Sequence, residues 1–136
     1  MLESDALRSQ LTPFPRYDEA ERDEFYATMA HWGVDLVSRG KAVIFDATAN
    51  KRAYRDAARK NIERFAEVFV ETPLEVCAAR DPKGLYRRKD LTALPGVQTP
   101  YEAPLAPELV VHGDRGTPAQ AAAAITELLE HRCWIR

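Results

Sequence analysis

The chain has 136 residues, 46% hydrophobic and 29% charged, which is the make-up of one ordinary soluble globular domain. Its net charge of −2 excludes a global basic field directed at nucleic acid or an anionic membrane. No apolar run approaches the ~20 residues of a membrane helix, the start Met-Leu-Glu-Ser-Asp lacks the basic and apolar regions of a signal peptide, and the two cysteines, Cys77 and Cys133, form no disulfide framework, so a cytoplasmic protein is expected.

Leu2 and Glu3 read as the end of one element running directly into another. Asp5 is a candidate N-cap for a short helix from Ala6 to Leu11, stopped by Pro13 and Pro15. Residues 18–39 form the longest helix pattern, with Phe25, Met29, Trp32, Leu36 and Val37 at three- and four-residue steps. Acidic residues open that helix and Gly40 closes it, as the helix dipole and C-cap preferences require. Ala42–Asp46 is a strand ending in a carboxylate. Residues 51–64 give a second amphipathic helix, Ala66–Glu71 a second strand, and Pro73 opens a third helix. Residues 91–107 contain four prolines and a glycine and read as a loop. Leu109–Val111 is a last strand, and Pro118–Leu129 a closing helix.

Strands alternate with helices and are continuously apolar, the pattern of a parallel sheet covered on both faces. Ligands in such sheets bind beyond the C-terminal strand ends. Glu3 and Asp5, Asp46, and the residues from Thr72 onward occupy those places, which points to an enzyme. His31, His112 and His131 share no metal-ligand spacing with a carboxylate or cysteine and read as structural or solvated.

Residues 67–86, Glu-Val-Phe-Val-Glu-Thr-Pro-Leu-Glu-Val-Cys-Ala-Ala-Arg-Asp-Pro-Lys-Gly-Leu-Tyr, resemble the strand–helix–lid segment of adenylylsulfate (APS) kinases. Pro100-Tyr101-Glu102-Ala103-Pro104 is similar to that family's Pro-Tyr-Glu-x-Pro stretch, and Leu2-Glu3-Ser4-Asp5-Ala6-Leu7-Arg8 to its Leu-Asp-Gly-Asp-x-x-Arg motif. The resemblance spans residues 2 to about 130. It implies a P-loop NTPase-type three-layer α/β fold with a parallel sheet, one domain over 1–136, and a lid and substrate loop over 83–107. It implies transfer of the ATP γ-phosphoryl group to the 3′-hydroxyl of APS with Mg²⁺, and it is compatible with a homodimer.

The same resemblance places residues in roles. Glu3, Asp5 and Asp46 are the candidate catalytic carboxylates, Glu3 orienting the acceptor hydroxyl or a metal-bound water and Asp46 acting as a Walker B-type residue. Asp5 also suits a plain N-cap, and Asp46 a turn residue. Arg8, Arg22 and Asn50 fall at acceptor-binding positions. Arg80 matches the arginine that packs on adenine, and Lys83, Arg87 and Arg88 lie where cations close over the triphosphate.

Departures from the family pattern are equally plain. No Gly-x-x-x-x-Gly-Lys-Ser/Thr occurs in these residues, so the resemblance leads one to expect a start inside the second strand, a sheet lacking its first strand, P-loop and first helix, and a chain that folds poorly alone or associates. Ser4 replaces a glycine, Ala27 an arginine, and Asp46–Arg52 the Ser-Phe-Ile-Ser-Pro-Tyr-Arg loop. The Asp-Ala-Thr-x-Asn segment is closer to small P-loop kinases acting on another hydroxyl or phosphate acceptor. A degenerate, non-catalytic nucleotide-binding domain is the remaining alternative.

Overall fold

The computed structural model describes residues 1–12, 14–16, 18–81, 84 and 99–135. They divide into two compact units, one built from Met1–Phe65 with the described part of Thr92–Ala103, the other from Ala66–Leu91 and Pro104–Arg136, again as far as described. The expected strands do form, and they pair in parallel. They fall in two sheets of two strands each.

In the first unit, β1 (Leu2–Glu3) leads straight into α1 (Ser4–Leu11), α2 spans Glu19–Ser38, β2 Phe45–Asp46, and α3 Arg52–Arg59. The parallel β1–β2 ladder pairs Leu2 with Phe45 and Glu3 with Asp46. It is shorter than the apolar run 42–46 suggested: the paired stretch begins at Phe45, and just ahead of it the Leu2 N–H donates to Ile44 O at 2.8 Å. Asp18 caps α2, its side chain accepting from the Glu21 N–H. The far end closes as a Schellman motif: Gly40, at φ 75°, donates to Val37 O and Lys41 to Leu36 O.

The buried face of α2 is Phe25, Tyr26, Met29, Ala30 and Gly33: Phe25 and Met29 of the expected stripe are buried, and Trp32 is not. Trp32 is 37% exposed. The face is rotated because small residues at 30 and 33 admit their neighbours. Ala30 meets Ala58 and Ile62, and a side chain on Gly33 would overlap the Phe45 ring. Phe25, Tyr26 and Met29 close a second cluster with Ala49, against which Leu2, Leu7, Phe45 and Tyr54 pack. Each large apolar side chain buried this way stabilises the unit by about 1.5–3 kcal/mol. Helix α3 ends at Arg59 rather than 64, where Asn61 turns its side chain back onto Ala57 O.

In the second unit, β3 (Val68–Glu71) and β4 (Leu109–His112) run parallel, pairing Val68 with Leu109 through Glu71 with His112. Between them lies α4 (Leu74–Arg80), with Pro73 at its N-cap rather than its first turn. Helix α5 (Pro118–His131) begins with a full capping box between Thr117 and Gln120 and runs two residues past the expected end. The tail closes locally, Arg132 lying 5.2 Å over the Trp134 ring. Ile44, just before β2, and Val70, on β3, are 66% and 61% exposed.

Candidate functional site

Glu3 and Asp46 are partners in the β1–β2 register, so two carboxylates leave the sheet from adjacent positions at the C-terminal ends of parallel strands. Their states differ. Glu3 is the N-cap of α1, one oxygen accepting from the Asp5 N–H at 3.0 Å and the other from the Ala6 N–H at 2.7 Å. This corrects the N-cap reading of Asp5. The helix starts at Ser4, a glutamate is long enough to reach back over its first turn, and Asp5 falls within that turn, exposed and near the positive end of the dipole. Asp46 is exposed and has no side-chain partner among the described residues.

Arg8 projects from α1 toward α2. Its guanidinium carbon lies 4.1 Å from the Phe25 ring centroid, and Nη1 lies 3.6 Å from Glu21 Oε1. Glu21 is buried; Oε2 accepts from the Arg16 N–H at 2.6 Å, while Oε1 has no hydrogen bond among the described residues. A buried carboxylate without a full set of donors is costly unless a cation stands by; Arg8 stands by Oε1, and the Arg16 Nε lies 3.9 Å from Oε2. Arg22 follows Glu21 on α2, half-buried, its positive charge acting on the neighbouring Asp23 carboxylate.

Asn50 is 2% exposed. Its Nδ2 donates to Pro100 O at 3.1 Å, and its own carbonyl accepts from the Glu102 N–H at 2.8 Å. Expected to touch the acceptor, Asn50 has its Nδ2 engaged in holding the loop after β2.

Beside that loop, Lys51 Nζ donates to Glu19 Oε1 at 2.6 Å and Asp23 Oδ1 at 2.8 Å, and the Tyr54 hydroxyl donates to Asp23. The hydrogen bond from Lys51, then that from Tyr54, holds the Asp23 carboxyl below its ordinary value. The Lys51 ammonium is raised by Asp23 first and Glu19 second. Burial first, then Asp23, pushes the Tyr54 phenol up to about 12.

In the second unit, a cleft of about 280 Å³ opens at the C-terminal ends of β3 and β4, lined by Glu71, Thr72, Pro73, His112, Asp114 and Arg115. His112 Nδ1 lies 3.2 Å from Glu71 Oε2, its partner in the ladder. Arg80, exposed at the end of α4, donates from Nη1 to Gly113 O at 2.6 Å. Gly113 is compact for a reason: a Cβ there would overlap the Thr72 hydroxyl. Lys83, Arg87, Arg88 and most of the 83–107 segment lie outside the described residues. Among the described residues, no group of three or more His, Cys, Asp or Glu is arranged to hold a metal ion, and no helix is long and apolar enough to cross a membrane.

Sequence reading missed Glu21, Arg55 and Glu102. A buried Glu in an acidic first turn looks like any solvated helix start. The signal for Glu102 was indirect: Lys51, at the N-cap of α3, has no side chain able to accept from the helix amides.

The adenylylsulphate kinase family model matches residues 1–112. An adenylyl-sulfate kinase of Paraburkholderia xenovorans is 39% identical over 119 residues, covering 85% of this chain and 66% of that protein. One from Rippkaea orientalis is 33% identical over 133 residues, covering 96% and 74%. The chain thus spans about two thirds to three quarters of the length of these curated relatives. Among solved structures, the APS kinase of Mycobacterium tuberculosis in complex with AMPPNP and APS superposes with a TM-score of 0.79 at 34% identity, covering 95% of this chain and 78% of that one. The fold is the P-loop NTPase-type α/β fold.

Proposed function

The chain belongs to the adenylylsulphate kinase family, and on that premise we propose that its residues serve transfer of the γ-phosphoryl group of ATP to the 3′-hydroxyl of adenylylsulfate. The observation that carries the reading is the Glu3–Asp46 register at the C-terminal edge of a parallel sheet. Phosphoryl transfer needs positioning and charge stabilisation more than covalent chemistry. A carboxylate at that edge serves to orient an acceptor hydroxyl or a metal-bound water.

Asp46 suits that work better than Glu3, whose oxygens are both engaged by helix amides. A Mg²⁺ arriving on nucleotide phosphates takes one or two protein carboxylates and keeps several waters. The exposed, unengaged Asp46 fits that demand, and such an ion would neutralise charge on the transferring group. Arg8 and Arg22 supply positive charge for an anionic acceptor, Arg8 already oriented by Phe25 and Glu21. In the second unit, Arg80 offers its guanidinium plane to adenine while Gly113 O fixes one end of it. Lys83, Arg87 and Arg88 keep their assigned role at the triphosphate. The Mycobacterium tuberculosis relative, solved with AMPPNP and APS, supports the choice of both ligands.

The test is calorimetric titration of the 136-residue chain with APS and, separately, with AMPPNP in Mg²⁺. Saturable uptake of APS that Arg8→Ala abolishes is the expected result. Absence of heat with either ligand from a folded sample would overturn the reading.

A further inference from the structure

The loop after β2 carries a strained residue. Ala49 has φ 39°, in the left-handed region that costs a residue with a Cβ on the order of 1–2 kcal/mol. Such strain persists only where the surroundings over-determine the backbone, and it gathers at functional sites. Ala49 is buried, and its N–H donates to the Tyr26 hydroxyl at 3.0 Å.

What else fixes the loop comes from about fifty residues away. The Arg52 N–H, the first of α3, donates to Glu102 Oε2 at 2.7 Å, so Glu102 supplies the cap that Lys51 lacks. A carboxylate at the positive end of a helix makes a strong, charge-assisted bond there. Arg55 donates to Ala49 O through one nitrogen and to Glu102 O through the other at 2.6 Å, with its guanidinium carbon 5.5 Å from the centroid of the Tyr101 ring. Asn50 completes the join through Pro100 O.

We infer that Pro100–Ala103 is a brace for loop 47–51, with Glu102 and Arg55 as positioning residues that hold the loop, and Asp46 at its start, in the shape the acceptor requires. Neither residue touches the acceptor. They act by making the left-handed Ala49 conformation the stable one. The consequence for acceptor affinity rests on the function proposed above; the mechanical brace does not.

The experiment compares the full chain with Glu102→Gln, which keeps the shape and removes the charge, and Arg55→Lys, which keeps the charge and removes the fork. Amide hydrogen exchange is followed over 47–52, alongside titration with APS and AMPPNP. Both variants are expected to exchange about tenfold faster across 47–52 and to bind APS about tenfold more weakly, with AMPPNP affinity held within about twofold. Ala49→Gly removes the strain, so the same substitutions in that background should cost APS affinity distinctly less. Unchanged exchange, equal weakening of both ligands, or no relief from glycine at 49 would each overturn the inference. Should the parent chain take up no APS at all, the functional reading fails, and exchange over 47–52 alone decides the brace.

Discussion

The ring of Phe45 lies against the bare backbone of Gly33, close enough that a single methyl on that residue would intrude into it. This is the point where β2 meets α2, and Phe45 packs against both clusters of the first unit. Gly33→Ala should destabilise the chain by about 1–3 kcal/mol through overpacking, despite alanine's better helix propensity. Urea unfolding measures the loss, and Phe45→Leu in the same chain should recover part of it. An unchanged midpoint would show that the helix and strand can separate freely.

The two carboxylates at the sheet edge should respond in opposite ways. Glu3→Ala removes both acceptors of the α1 cap and is expected to cost about 1 kcal/mol of stability. Asp46→Asn touches no described partner and should leave the unfolding free energy unchanged within about 0.5 kcal/mol. It should nonetheless weaken Mg²⁺-dependent AMPPNP binding. Equal effects on stability would contradict the division of labour between them.

Arg8 combines a flat contact with an ion pair. Arg8→Lys keeps the charge and loses the guanidinium plane over Phe25. We expect APS to bind about tenfold more weakly and AMPPNP to be unaffected. A lysine that binds APS as well as arginine would make the orientation irrelevant.

The Lys51–Asp23–Tyr54 group gives the chain a pH signature at both ends of the scale. The Asp23 carboxyl is lowered from 3.8 in the folded chain, so its contribution is present above that value and lost as pH falls through the lower folded one. Tyr54 and Lys51 are raised from 10.0 and 10.5, so theirs is complete below those values. It is lost as pH rises, for Tyr54 through about 12. Melting temperatures against pH should fall at both extremes, and Lys51→Met should flatten the acid limb. Identical acid limbs in parent and variant would remove Asp23 from the account. Asp23 is half exposed, so the effect shrinks in high salt.

Much of this architecture was written locally. The alternation of apolar strands with amphipathic helices, the Asp18 and Thr117–Gln120 starts and the Gly40 stop are signals within a few residues of where they act. The family strings at 2–8, 67–86 and 100–104 carried the kinship as well, since short motifs preserve chemistry that spacing alone does not reveal. Which residue caps which helix was another matter. Glu3 rather than Asp5 begins α1, Glu102 caps α3 from fifty positions away, and Asn50 disappears beneath Pro100. The buried face of α2 turned on the approach of Phe45 to Gly33. Each of these depends on which distant backbone group arrives within about 3 Å, and a polar side chain takes its role from the partner it meets after the chain has closed on itself.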